Sequence, residues 1–201
     1  MPPIFDLGPP PLVFPKPAII RPATEDRAPL VLALLAHQMR RAGGGGCSCT
    51  PSYVTGDRTA SITVTTTLPG AVGGGTPSNL VDGDFGANST DAMDMANGHA
   101  VSGLYIRFQY GVSTKITEAK WYQQNTASLG TWKWQGSNDA SAWTDIGSQF
   151  TLGGATTQTQ TELSTNTNGY LYYQLIGVSG NWASGAARPF ILEVEFNQCA
   201  C

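Results

Sequence analysis

The chain has 201 residues; only 12% are charged, 41% are hydrophobic, and Gly (24) and Pro (13) are abundant. That composition excludes a disordered chain, which buries too little apolar surface to fold, and favours short strands and many turns over helical bundles. The net charge of −3 is unevenly spread: residues 1–46 carry Lys16, Arg21, Arg27, Arg40 and Arg41 against Asp6, Glu25 and Asp26, so the rest of the chain is acidic, and an acidic domain without a basic cluster repels nucleic-acid backbones.

Residues 1–23 contain Pro2, Pro3, Pro9, Pro10, Pro11, Pro15, Pro17 and Pro22. Such a density forbids helix and ladder pairing and favours an extended, polyproline-like strand. Ile4, Phe5, Leu7, Leu12, Val13, Phe14, Ile19 and Ile20 are interleaved among the prolines. Apolar side chains on an extended segment need a partner surface, the alternative being an adhesive, flexible tail. Met1 is followed by Pro-Pro-Ile-Phe-Asp rather than by a charged stretch leading into an apolar core, so the expectation is synthesis without a secretion signal. The apolar run Leu30 to Ala36 falls far short of the ~20 residues that span a bilayer.

Residues 26–41 read as a helix. Thr24 or Asp26 caps it, Pro29 is tolerated in the first turn, and Arg40 and Arg41 sit at the negative end of its dipole. Leu30, Val31, Leu32, Leu34 and Leu35 cover most of its circumference, so burial between neighbours is expected. Gly43 to Gly46 ends the helix as a hinge. Residues 1–46 are thus expected to form a docking arm.

From Ala60 onward the period changes to two. Ile62 and Val64 alternate with Ser61, Thr63 and Thr65, and Leu104, Ile106, Phe108 and Tyr110 with Tyr105, Arg107 and Gln109. Trp132 and Trp134 share one face; Phe190, Leu192, Val194 and Phe196 form another, opposite Ile191, Glu193 and Glu195. Trp121 and Trp143 are also expected in the core. Strands of this kind, separated by Gly/Asn/Ser/Asp turns, predict an all-β, antiparallel jelly-roll sandwich over residues 47–201. Residues 69–78 and 153–168 read as loops at its ends.

No catalytic constellation stands out. His37 and His99 lie outside any His-x-x-x-His or His-Glu context, and neither a Gly-x-Ser-x-Gly elbow nor a phosphate-binding Gly-Lys-Ser/Thr occurs. Asp91 and Asp94 lie close together but read as solvated loop acids. A non-enzyme is expected.

Three blocks carry a family resemblance: Asn79-Leu80-Val81-Asp82-Gly83-Asp84, Leu104-Tyr105-Ile106-Arg107-Phe108, and Trp132-Lys133-Trp134-Gln135-Gly136-Ser137-Asn138-Asp139 with Trp143-Thr144-Asp145-Ile146-Gly147. Tyr170 to Gly177 and Ile191 to Phe196 follow in the same order. The pattern resembles the galactose-binding-like superfamily, which includes the discoidin (coagulation factor 5/8 type C) domains and related carbohydrate-binding modules. The resemblance implies a non-catalytic jelly roll with five- and three-stranded sheets, binding glycans, lipids or proteins through loops at one end. It also implies a structural calcium ion near Asp82, Asp84 and Glu193, whose oxygens suit a hard cation; a simple Asp82-Gly83 turn is the alternative. The chain departs from the pattern at Ser89 to Asp94, where the family's Thr-x-Trp is missing.

The discoidin domains that the pattern resembles join their termini by a disulfide. By that resemblance Cys47-Ser48-Cys49 and Cys199-Ala200-Cys201 would close as Cys47–Cys201 and Cys49–Cys199. Three intrachain connectivities are open to four cysteines, as are disulfides between subunits, a four-thiolate zinc site and free thiols. Trp182, within Asn181-Trp182-Ala183-Ser184-Gly185, reads either as a sugar-stacking platform helped by Asn181 and Arg188, or as a lid on the core.

Two functions compete on this evidence. One is a structural virion protein of a tailed bacteriophage, a decoration, collar or fibre component present in many copies. It would dock to other virion proteins through residues 1–41 and display the jelly roll, and cysteines without a secretion signal fit release by lysis. The other is a carbohydrate-binding adhesin module that recognises host cell-surface glycans.

Overall fold

The computed structural model describes residues 47–69, 75–86, 92–94, 98–183 and 190–201. The arm, with its helix over 26–41 and its Gly hinge, lies outside the described residues, as does Arg188. Among the described residues no helix is long and apolar enough to cross a membrane.

The described residues form nine strands: β1 (Ser52–Val54), β2 (Ile62–Thr66), β3 (Met93–Asp94), β4 (Tyr105–Gln123), β5 (Ser128–Ser137), β6 (Thr144–Gly153), β7 (Thr157–Gln160), β8 (Tyr170–Ser179) and β9 (Phe190–Ala200). All pairings are antiparallel. β4 is the spine. Its first half pairs with β2 and β8, and its second half with β7 and β9. Between them, around Gly111 to Ser113, the register with β8 breaks between Gln109 and Thr114, and a bend of this kind lets one strand pass from one layer into the next.

One layer is therefore the five-stranded β2-β4-β8-β5-β6. The other is built on β7, β4 and β9, with the short β1 and β3 both pairing with β9. The implied five-plus-three architecture is present, with the short β1 and β3 as additions along β9. Residues 153–168, expected as a loop, contain β7 and a 3-10 turn at Glu162–Thr165.

The predicted alternation holds in the five-stranded layer. Ile62, Val64, Ile106, Phe108, Tyr110, Trp132 and Trp134 all point inward and are buried. They meet β9 at Phe196, whose ring lies 4.9 Å from Phe108, 6.1 Å from Trp134 and 6.3 Å from Tyr110, in the edge-to-face arrangement that aromatic quadrupoles favour. In β9 the expected alternation fails. Ile191, Val194 and Phe196 are in the core, whereas Phe190 and Leu192 are only half-buried. The cause is a bulge: the register with β4 slips between Tyr122 and Gln123, and the extra residue reverses which face follows it.

The domain is closed by two disulfides, Cys47–Cys201 and Cys49–Cys199, with Cα atoms 5.5 and 6.0 Å apart, separations that a disulfide spans. The ends are also held by backbone: Cys47 N–H donates to Thr167 O at 3.1 Å and Cys201 N–H to Ser113 O at 2.8 Å.

Candidate functional site

A concavity of the described residues lies where β5 leaves the five-stranded layer. Gly136, Ser137 and the loop to Thr144 form one wall, and Asn168 and Tyr170 the other, enclosing about 350 Å³. A smaller recess shares Thr144, Asn168 and Tyr170 and continues along β6 to Gly147. Gly136 makes room for the floor, since a Cβ there would run into the Tyr170 ring.

The loop is rigid for identifiable reasons. Asp139 Oδ1 accepts from the N–H groups of Ser141 and Ala142, both at 2.8 Å, and from Ser137 Oγ at 3.0 Å. Those bonds, the Ala142 amide first, hold the Asp139 carboxyl well below the usual carboxylate range. Ala140 turns the chain at φ 58°, a left-handed conformation costly for a residue with a Cβ. Asn138 Oδ1 accepts from Leu171 N–H at 3.0 Å, which ties the loop to β8. On the facing side Asn166 is buried and donates to Ile116 O (3.0 Å) and Tyr173 Oη (2.9 Å), fixing the segment that ends in Asn168.

Because the folded pKa of Asp139 is lowered, its contribution is fully present above the unfolded carboxylate range and drains away only as pH falls through and below it. The Ser141 and Ala142 amides are therefore expected to keep their NMR positions from neutrality to below about pH 4. Movement at pH 5 to 6 would contradict this capping.

Trp143, expected in the core, is only half-buried. It lies on the outer face of the layer, where the Arg107 guanidinium sits 4.7 Å from its ring centre and 4.3 Å from that of Tyr105. Arg107 Nε and Nη2 donate to Gln174 Oε1 at 3.2 and 3.0 Å. Gln174 Nε2 donates to Gln135 Oε1 at 2.8 Å, and Gln135 Nε2 to Asp145 Oδ1 at 2.6 Å. These four residues face one another in register across β4, β8, β5 and β6. The row holds Trp143, and with it the C-terminal end of the cleft loop.

Asn138, Asp139 and Thr144 line the cleft with an amide, a carboxylate and a hydroxyl. A preformed cleft with a tyrosine floor and a few polar side chains is the kind of surface that orients a small polar ligand. Sequence reasoning named the Gly-Ser-Asn-Asp and Trp-Thr-Asp-Ile blocks for their family pattern but not as a site. The signal missed was the outward parity of Ser137 and Gln135 on β5, beside residues of β8 more than thirty positions away.

Of the residues singled out as a sugar platform, Asn181 and Trp182 lie at the other end of β5, where Ala183 N–H donates to Ser128 O at 2.9 Å. The structure puts the Trp182 ring inside the core, 0% exposed and edge-on to Trp132 at 6.1 Å. Its backbone is pinned by bonds to His99 O and from Gly98 N–H, at 2.8 and 2.7 Å. The ring thus presents no face to a sugar, and it acts as the lid. The physical reason is area: a small polar loop gives an indole more apolar contact folded inward than left in water. Asn181 is exposed, its backbone bridged to Ala100.

Asp82, Asp84 and Glu193 do not converge as a cation's ligands. Asp82 Oδ1 accepts from Asp84 N–H (2.9 Å) and its Oδ2 from Asn79 Nδ2 (2.8 Å), while Asp84 Oδ1 accepts from Gly86 N–H (2.8 Å). These are self-capping turns. Glu193 is fully buried; it is ion-paired to Arg58 through Oε1 and accepts from Gly83 N–H at 2.8 Å through Oε2. Among the described residues the only group of three potential metal ligands in mutual reach is Cys47, Cys49 and Cys199, all engaged in disulfides. A calcium ion does not fit the carboxylates as placed.

Neither a protein family nor a curated protein matches the chain. Solved structures do. The family 32 carbohydrate-binding module of Clostridium perfringens NanJ, in complex with galactose, superposes with a TM-score of 0.52 at 12% identity, over 72% of this chain and 98% of that one. A CBM32 of AlyQ in complex with 4,5-unsaturated mannuronic acid gives 0.44 at 28% identity, over 67% and 92%. A truncated AlyQ with CBM32 and alginate lyase domains gives 0.49 at 24% identity, over 75% of this chain but only 34% of that one. The likeness to the NanJ module shows the fold: an all-β, antiparallel jelly roll.

Proposed function

We propose that residues 47–201 form a non-catalytic carbohydrate-binding module that seats a sugar in the cleft between the 137–144 loop and Tyr170. The observation that carries this reading is the preformed cleft of about 350 Å³ lined by Asn138, Asp139 and Thr144 beside Tyr170. Hydroxyl-rich ligands suit such a mixture of one carboxylate, one amide and one hydroxyl over an aromatic floor. The occurrence of this fold in a carbohydrate-binding module solved in complex with galactose supports it. A binding role also suits the carboxylates nearby. Asp139 and Asp145 are both held below the usual range, Asp145 by bonds from Gln135 and then Lys133, so neither is poised as the general acid that glycoside chemistry requires.

The test is a glycan array with the full chain, followed by calorimetry on the best ligand. Thr144→Val, which removes one hydroxyl and little volume, is expected to weaken binding about fivefold, the worth of one hydrogen bond. An array without a hit, or a Thr144→Val protein that binds as tightly as the parent, would remove the claim.

The sequence of residues 1–46 supports a second, compatible role, display of this module on a virion through an apolar, Pro-rich docking arm. None of the structures named above is a virion protein, so this role rests on the arm alone. Purified full-length protein that is monomeric and keeps a protease-resistant arm would count against it.

A further inference from the structure

The resemblance places a divalent cation beside Glu193, and the structure places an arginine there. Glu193 is 0% exposed and Arg58 4%. Arg58 Nη2 bonds to Glu193 Oε1, Nη1 donates to Val194 O at 3.0 Å and to Val54 O at 3.3 Å, and Nε donates to Gly56 O at 3.1 Å. One carboxylate and three carbonyls therefore converge on a single guanidinium. Oxygen donors of these two kinds are what a hard cation gathers.

The surrounding chain is arranged for this contact. Arg58 N–H donates to Val81 O at 2.8 Å, which joins the 54–58 segment to the 3-10 turn at Pro77–Val81. Gly83, at φ 77°, passes so close to Gly56 and Asp57 that a Cβ would collide with their backbone, and its N–H takes the second oxygen of Glu193. Two separate loops are thus clamped onto the buried outer face of β9. The carboxylates of Asp82 and Asp84, which a metal would require, are turned to bonds within their own loop.

We infer that Arg58 is the built-in cation of this domain: its guanidinium occupies the carboxylate-and-carbonyl cage where a divalent ion would sit, and makes the fold independent of one. A guanidinium stays charged at any physiological pH and cannot dissociate from the chain. The clamp is therefore closed whatever the calcium concentration, and two cations cannot share the same oxygens. Removing the arginine should empty the cage and leave Glu193 buried without a counter-charge, a state that a divalent ion relieves.

The experiment is thermal unfolding of the full chain in chelator and in millimolar calcium chloride. The parent is expected to melt at the same temperature in both, and to show no binding heat with calcium. Arg58→Ala is expected to melt lower by more than about 6 °C in chelator, as for a broken buried ion pair in a domain of this size. Calcium should then raise its melting temperature. If Arg58→Ala does not fold in chelator, its refolding yield with and without calcium reads the same question. A parent stabilised by calcium, or an Arg58→Ala protein indifferent to it, overturns the inference.

Discussion

Trp182→Ala is expected to destabilise the domain by about 3–5 kcal/mol, the usual cost of emptying a large aromatic site in a core. The ring is fully buried at one end of the sandwich and packs against Trp132, itself 0% exposed. Truncation would leave a void beneath a loop whose backbone bonds to His99 and Gly98 hinder its collapse. Trp182→Phe should cost less, because the edge contact survives and the indole Nε1 has no partner among the described residues to lose. Denaturant unfolding monitored by fluorescence separates the lid from a surface platform. A stability change within ~0.5 kcal/mol, together with lost glycan binding, would return Trp182 to the role of ligand platform.

The two disulfides are expected to behave as one crosslink with a spare. Cys47–Cys201 and Cys49–Cys199 close loops of nearly the same span, with sequence separations of 154 and 150. Once either is formed, the other closes only the short ring between the two Cys-x-Cys pairs. In the chain-entropy account the first bond removed then costs about 2 kcal/mol, and the second, which frees the whole domain's ends, about 5 kcal/mol. Cys49→Ser with Cys199→Ser should therefore be mild, whereas the four-serine protein should lose most of its stability. Equal, additive losses from the two pairs would show that each acts through local contacts rather than through chain entropy.

How much of this was legible beforehand differs from element to element. Ile62, Val64, Ile106, Phe108, Trp132 and Trp134 were readable because a strand with one buried face writes a period of two into the sequence. β9 was misread, since a single bulged residue between its pairings with Tyr122 and Gln123 shifts parity without leaving a local mark. Trp143 looked like core from alternation and the family's pattern, but its ring packs on Arg107, a partner from another strand. The candidate cleft was invisible for the same reason: its walls, 136–144 and 168–170, are neighbours only after β5 pairs with β8.

The sequence by itself determined the fold class and the lack of a recognisable catalytic motif, because alternation, turn residues and composition are local properties. Tertiary structure alone decided which cation Glu193 meets, which way Trp182 points and where a ligand has room. Arg58 and Glu193 are 135 residues apart, and nothing in the neighbourhood of either names the other. Long-range register brings them together, and burial then makes their pairing obligatory.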